Sequence, residues 1–306
     1  MKNVAIFGGL GFIGRSIARV ISPFCKKVLI LDNSASKFDE ANIETYECDI
    51  NDLESLPISK LKKVDSIIYL ISTSTPGSSN IDIPKDISEN LLPFINLLEL
   101  TEKFKLKRFI FASSGGAIYS NFEDPPFSEG SSLGPKTSYG IIKTSCEFYL
   151  KLYAKRFGYL SLSLRISNPY GPGQLPKPGF GVVPTFLNNL IHDKKISLYG
   201  EGESIRDFVY IDDVANAFLL ALKYDGVYEI FNIGTGQGVS INDLLSLMEL
   251  KLDVNANREF LPLRKCDKGK VFLSIRRAKD ELKWRPMTTL SKGLDNYLSW
   301  LKNDSQ

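Results

Sequence analysis

The chain has 306 residues, 43% of them hydrophobic and 24% charged, with a formal net charge of +3. That length fits a large α/β domain with a smaller companion rather than one small core, and the apolar content excludes a disordered chain. The slight positive excess, with no long block of Lys or Arg, excludes a nucleic-acid-binding or membrane-surface protein.

No apolar run approaches the ~20 residues that span a bilayer. No secretory leader precedes the first strand, so a cytoplasmic location is expected. The four cysteines, Cys25, Cys48, Cys146 and Cys266, are widely spaced and form no C-x-x-C pair, which reads as reduced, buried thiols. The one histidine, His192, lies in "NNLIHDKK" and reads as the end of an amphipathic helix. No metal site is expected.

Asn3–Gly8, an apolar run ending in glycines, reads as a fully buried strand. Phe12–Ile21 follows with helical spacing, and Lys27–Asp32 is a second buried strand. Strand, glycine turn, helix and strand make a βαβ unit, whose right-handed crossover implies a parallel sheet. After a third strand just before Asp49, the alternation continues with a strand over 64–71, a helix over 88–104, a strand over 108–114, a helix over 139–157 and a strand over 160–167. Residues 1–168 are therefore expected to form a doubly wound α/β domain with a parallel, Rossmann-type sheet. Asn168–Gly181 is rich in Pro and Gly and reads as loop. The shorter, less regular elements around it predict a second, smaller α/β lobe over 169–205 and 234–306. The runs "RDFVYI" and "YEIFNI", near 206–232, are expected to return to the first sheet.

The first strand is followed by Gly8-Gly9-Leu10-Gly11-Phe12-Ile13-Gly14. Glycines there let the backbone turn sharply and approach a pyrophosphate, which the N–H groups of the next helix can bind. Asp32 ends the second strand, where a carboxylate accepts hydrogen bonds from adenosine ribose hydroxyls and repels the 2′-phosphate of NADP. Asn33, rather than Lys or Arg, comes next. The expected cofactor is NAD. Asp49 and Ile50 follow the third strand, at a place suited to the adenine, although an Asp that caps a turn looks the same in sequence.

Tyr139 and Lys143 are four residues apart and share one helix face. A lysine cation near a phenol favours the phenolate and is expected to lower the tyrosine pKa. The preceding strand ends in Ser113 and Ser114, beyond the carboxyl edge of the sheet where such folds place ligands. Either hydroxyl can hold a reacting oxygen against Tyr139.

Together, "GGLGFIG", "SSGGAIY", "SYGIIK", "LRISNPYGPG", "YGEGESIRDFVYIDDVA", "FNIGTG" and "AKDELKWRP" give a chain that resembles the extended short-chain dehydrogenase/reductase family along nearly its whole length. The resemblance is to the NAD-dependent nucleotide-sugar epimerases and dehydratases. It implies a pyrophosphate loop at Gly8, Gly11 and Gly14, a ribose contact at Asp32, and a catalytic pair Tyr139 and Lys143. It implies a catalytic hydroxyl at Ser114, while a count back from Tyr119 falls on Gly115 and keeps Ser113 in play. Asn168 matches a substrate contact beside the nicotinamide, and Arg206 an arginine that binds the substrate diphosphate. Arg264 and Asp267 match weakly a second arginine and an acid near the nucleotide. The expected partners are a nucleotide-diphosphate sugar and a second copy of the chain, paired through the helices near 88–104 and 139–157, with Phe148, Tyr149 and Tyr153 among the apolar residues.

The chain departs from the family pattern at "YLIS", Tyr69–Ser72, where His-x-Ala is frequent, and at Ser120, where a glycine is usual. Its loop Ser72–Ile83 is long and polar. The family's 4,6-dehydratases carry an Asp-Glu pair after the catalytic hydroxyl residue, and its decarboxylating members a Glu. The matching stretch here is Gly115-Gly116-Ala117, with no ionisable group. The implied reaction is inversion at sugar C4 through a 4-ketosugar, with reduction of a 4-ketosugar by NAD(P)H as the alternative. A catalytically inactive sugar-nucleotide-binding protein is a third reading, against which Tyr139 and Lys143 stand.

Overall fold

Val4, Ala5, Ile6 and Phe7 are all buried, as they must be in a strand covered on both faces. The computed structural model describes residues 3–36, 38, 40–120, 123–176, 181–263 and 269–304. Its strands in chain order are β1 (Asn3–Phe7), β2 (Lys27–Asp32), β3 (Ile43–Glu47), β4 (Ser66–Tyr69), β5 (Arg108–Ser114), β6 (Leu160–Ile166), β7 (Asn168–Tyr170), β8 (Ile196–Tyr199), β9 (Ile205–Arg206), β10 (Phe208–Tyr210), β11 (Ile230–Ile233), β12 (Val239–Ser240), β13 (Arg258–Leu261) and β14 (Lys270–Val271). The helices are α1 (Phe12–Ile21), α2 (Ile58–Leu61), α3 (Ile83–Asn90), α4 (Leu92–Leu100), α5 (Ser138–Phe157), α6 (Val182–Ile191), α7 (Ile211–Ala221), α8 (Ile241–Leu252), α9 (Arg276–Asp280) and α10 (Leu290–Asp304).

Seven strands form one parallel sheet in the order β11-β6-β5-β4-β1-β2-β3. The order reverses after β1, whose neighbours are β2 and β4, which is the switch point where such sheets bind ligands. One face packs on α1 and α7 through Ile17, Ile21, Val214 and Phe218, and the other on α4 and α5 through Phe94, Leu97, Ile142 and Leu150. A separate apolar cluster, with Phe186, Leu187, Leu198, Leu244, Met248 and Tyr297, forms the core of the smaller lobe.

The structure corrects the expected elements in several places. Only "YEIFNI" supplies a strand to the main sheet: β11 pairs with β6, whereas β10, from "RDFVYI", pairs with β7 outside it. The helix expected over 88–104 is two, α3 and α4, and Pro93 sits in the first turn of the second. The strand expected over 64–71 shortens to β4. Residues 275–284 leave the smaller lobe and pack on the first core through Ile275, Ala278, Leu282 and Trp284. The Trp284 indole N–H donates to the Asp213 carbonyl at 2.9 Å.

Cys25, Cys48 and Cys146 are buried and free, and Cys266 lies outside the described residues. His192 is exposed at the end of α6, its Nδ1 2.7 Å from the Asn188 carbonyl. Among the described residues no cluster of side chains can hold a metal ion, and no helix is long and apolar enough to cross a membrane.

Candidate active site

The turn after β1 is shaped for a close backbone approach. A Cβ on Gly14 would lie 2.5 Å from the Gly8 carbonyl oxygen and 2.6 Å from the Gly9 Cα, so only glycine lets α1 pack on the turn. Gly8 has φ +78°, the left-handed region that glycine tolerates. Gly11 caps α1 without a side-chain hydrogen bond, and no acid occupies the first turn, so the helix N-terminus offers its N–H groups to an anion. Asp32, half-buried at the end of β2, accepts the Leu10 N–H through Oδ2 at 2.9 Å. This arrangement fits a dinucleotide whose pyrophosphate lies on the turn and whose ribose meets Asp32. Asn33 is exposed beside it. Asp49 binds its own turn, accepting from the Asn51 N–H at 2.9 Å and the Asn51 amide at 2.8 Å, and Ile50 is buried in the core.

Tyr139 opens α5. The Thr137 hydroxyl caps that helix by accepting the Gly140 N–H at 3.3 Å, and Gly158, at φ +75°, ends it. A Cβ on Gly140 would stand 2.6 Å from the Ala117 carbonyl oxygen, so this glycine brings Tyr139 down onto the turn that follows β5. The Ser114 side chain is the hydrogen-bonding neighbour of the Tyr139 phenol. Ser113 turns elsewhere: its hydroxyl donates to Glu147 at 2.5 Å. Gly115 carries no hydroxyl, and a Cβ there would meet Leu273 Cδ1 at 2.5 Å, so a larger residue would require the Leu273 side chain to move.

Lys143 is buried. Its ammonium donates to the Ala112 carbonyl at 3.0 Å and lies 4.8 Å from the centre of the Phe111 ring and 5.6 Å from that of Tyr139. Burial pushes its pKa down to about 8, against the opposing pull of Cys146 and Glu147. The expected lowering of the Tyr139 pKa is not found in the chain alone: burial raises it, and the Ser114 hydrogen bond opposes that rise.

On the other side of the site, Asn168 begins β7. Its backbone N–H and side-chain amide both donate to the Asp207 carbonyl, at 3.0 Å and 2.9 Å, which leaves its amide oxygen as an acceptor. Arg206, half-buried in β9, donates to the carbonyls of Ile205 at 2.9 Å and Gly269 at 3.3 Å. Arg264 and Asp267 lie outside the described residues.

Three groups escaped the reading of the sequence. Asp207, fully buried, accepts from the Thr235 N–H and hydroxyl at 2.7 Å and 2.6 Å and from the N–H groups of Gly236 and Leu273, both at 3.3 Å. It thereby ties the loop after β11 to the strands that carry Asn168 and Arg206. Glu147 and Arg165 form a buried ion pair beneath Lys143. Tyr69 is fully buried, its hydroxyl has no hydrogen-bond partner among the described residues, and it lines a cavity with Tyr139 and Lys143. Only the departure of Tyr69 from the family pattern was a signal in the sequence.

A family model described as "NAD dependent epimerase/dehydratase family" matches residues 4–234. The chain belongs to this family. It is 35% identical to a dTDP-4-dehydro-6-deoxyglucose reductase of Escherichia coli, with 98% of each chain covered. Among solved structures it is similar to a UDP-glucose 4-epimerase of Thermotoga maritima bound to UDP-glucose, at 32% identity and a TM-score of 0.92, with 99% of this chain and 100% of the other covered. It is also similar to the NAD complex of the Thermus thermophilus UDP-glucose 4-epimerase, at 27% identity and a TM-score of 0.89, covering 98% and 99%. As a member of the NAD-dependent epimerase/dehydratase family it is an enzyme of the extended short-chain dehydrogenase/reductase type, with NAD as its cofactor.

Proposed function

We propose that the chain is a nucleotide-sugar 4-epimerase that inverts C4 of the sugar through a 4-keto intermediate. The observation that carries this reading is the meeting of Ser114, Tyr139 and Lys143 at the edge of a sheet whose glycine turn and Asp32 fit NAD. NAD held on the glycine turn and Asp32 would supply the reversible hydride acceptance that this inversion needs.

Tyr139 removes the proton of the C4 hydroxyl and later restores it. Ser114 donates to the same oxygen and holds it near the phenol. Lys143, tethered to the Ala112 carbonyl, holds the nicotinamide ribose and stabilises the phenolate. Asn168 orients the sugar with its free amide oxygen, and Arg206 grips the diphosphate, with Arg264 and Asp267 assigned to the nucleotide end. Gly8, Gly11, Phe12, Ile13 and Gly14 take the pyrophosphate, Asp32 and Asn33 the ribose, and Asp49 and Ile50 the adenine. The turn Gly115-Gly116-Ala117 carries no acid or base for eliminating water, which favours epimerase over dehydratase.

The relationship to a 4-ketosugar reductase gives the second reading, in which the same residues deliver hydride once and a reduced cofactor is consumed. Incubation with a panel of UDP- and dTDP-sugars, with no cofactor added, separates the two. The expected result is a C4 epimer with no net change in reduced-cofactor absorbance. Turnover only with stoichiometric NADH or NADPH, and only of 4-ketosugars, assigns the reductase instead.

The acting form is a homodimer in the cytoplasm. Buried free thiols support a reducing compartment. An exposed apolar stripe on α5, with Ile141, Phe148, Tyr149 and Leu152, beside Ile83 and Ile87 of α3, supports pairing of two copies about a two-fold axis. Tyr153 is not part of that stripe: it is buried in the core and bonded to Glu99.

A further inference from the structure

Glu147 lies one helical turn beyond Lys143, on the same face of α5. It is 7% exposed, and its partner Arg165 is 2% exposed. Arg165 grips both carboxylate oxygens: Nε lies 3.0 Å from Oε1 and 3.2 Å from Oε2, and Nη2 lies 2.7 Å from Oε2. The Ser113 hydroxyl takes the remaining side of Oε1 at 2.5 Å. Arg165 Nη1 donates to the Tyr119 hydroxyl at 3.0 Å, which donates to Asn232 at 2.5 Å. The Asn232 amide donates onward to the carbonyls of Phe127 at 2.9 Å and Ser274 at 3.2 Å. One polar chain thus crosses α5, β5, β6, the turn after β5, and β11.

We propose that Glu147 is a positioning residue for the reaction, its carboxylate fixing the Ser113–Ser114 strand end and presenting a negative charge to Lys143. The proposal rests on the reading of Ser114, Tyr139 and Lys143 as the reacting set. Consecutive residues of a strand point to opposite sides, so tying Ser113 to Glu147 sets the direction of Ser114. A buried ion pair adds little to stability compared with apolar residues of the same volume. The placement of this one, a helical turn from Lys143 and next door to Ser114, gives it a use that stability does not.

The charge that Glu147 presents has few rivals. On α5 itself Lys143 is faced by the Tyr139 phenol and the Cys146 thiol, and burial raises the pKa of each. From β4 it meets the Tyr69 phenol, whose pKa burial also raises, and from β5 the Phe111 ring and the Ala112 carbonyl. From β6 comes Arg165, already paired with Glu147, and from α3 the Asn90 amide, which binds Asp86. Glu147 is therefore the carboxylate on this face of α5 that opposes the desolvation of Lys143.

The test uses Glu147→Gln and the double variant Glu147→Gln/Arg165→Met, which removes the unpaired guanidinium that the single change leaves behind. Two quantities are read: steady-state kinetics, and the titration of the Lys143 ammonium by 15N NMR in the protein without cofactor, with Lys143→Arg for assignment. Glu147→Gln is expected to titrate about one pH unit lower at Lys143, the scale of a nearby charge, and the double variant, which removes both charges of the pair, should shift by less. Both should lose about tenfold to a hundredfold in kcat, the scale of a misplaced reacting group, with little change in KM. The double variant should recover thermal stability without recovering kcat. A wild-type Lys143 titration in Glu147→Gln, or restored kcat in the double variant, overturns the proposal. A wild type that converts no nucleotide-sugar defeats the reading of the reaction instead, and the NMR titration still decides the role of Glu147.

Discussion

The Asp32 carboxylate accepts the backbone N–H of Leu10 at 2.9 Å, joining the end of β2 to the glycine turn after β1. A carboxylate so held is fixed before any ribose arrives, and one of its oxygens remains for a hydroxyl. NAD is therefore expected to bind more tightly than NADP, and Asp32→Ala should narrow the gap. The same change leaves the Leu10 N–H without its partner and should cost about 1–3 kcal/mol of stability. Calorimetric titration with both cofactors checks it; a wild type that prefers NADP would remove Asp32 from the ribose.

Tyr139→Phe removes one hydroxyl and little packing. Turnover should fall at least about a hundredfold, the low end for a positioned acid–base group. Melting temperature and NAD affinity should stay near those of the wild type. Near-normal turnover in this variant would mean that another group moves the proton.

Lys143 gives a stability prediction with a defined sign. Its pKa falls from 10.5 to about 8 on folding, because burial penalises the cation. Between those values the unfolded chain still holds a proton that the folded chain has released, so this group makes stability rise with pH there. Below pH 8 the buried cation costs the fold about 3 kcal/mol, the equivalent of that shift. Lys143→Met should therefore stabilise the protein at pH 7, by roughly 1–3 kcal/mol after loss of the bond to Ala112, while abolishing turnover. Urea unfolding at pH 7 and pH 10 reads both effects; a variant less stable than wild type at pH 7 contradicts the assignment.

Much of this site was legible because its signals are local. β1, β2, β5 and β6 read as strands because central parallel strands are apolar on both faces, and the glycine turn announces itself by spacing. Tyr139 and Lys143 were found because four residues make one helical turn. The choice between Ser113 and Ser114 was not legible: alternation puts them on opposite sides, but only packing shows which meets Tyr139 and which meets Glu147. Glu147 and Arg165 escaped notice because their pairing joins α5 to β6, and each alone looks like an ordinary charged residue. "RDFVYI" was misplaced because its apolar run fits any buried strand, and its partner, the Asn168–Tyr170 strand, begins inside a stretch that reads as loop. Tyr153 reads as one more apolar residue of an over-apolar helix until its contacts put it in the core.

The α5 stripe bears on assembly. Phe148 and Leu152 are 64% and 59% exposed and sit one turn apart. Light scattering at micromolar concentration should give twice the chain mass. Phe148→Glu with Leu152→Glu should give a folded monomer, because two copies cannot bury four carboxylates against one another. A monomeric wild type would leave this face without the partner assigned to it.

Arg206 separates substrate recognition from chemistry. Two acids near it in sequence have other roles: Asp207 holds Thr235, Gly236 and Leu273, and Asp212 accepts from the Ser16 hydroxyl at 3.1 Å. The guanidinium is steadied by the carbonyls of Ile205 and Gly269, an arrangement that orients a planar fork toward an anion. The diphosphate is remote from C4, so a contact to it is equally strong in the ground and transition states and contributes uniform binding. Arg206→Ala should raise KM by an amount equivalent to roughly 1.5–3 kcal/mol, the range for a hydrogen bond to a charged group, with kcat nearly unchanged. Arg206→Lys should recover only part of the loss, since an ammonium cannot make the bidentate contact. NAD affinity should not move, because the cofactor's pyrophosphate is assigned to a different element, the turn after β1. Steady-state kinetics beside cofactor titration on the same variants provides the check. A fall in kcat at constant KM, or weakened NAD binding, would show that Arg206 acts somewhere other than on the diphosphate of the substrate.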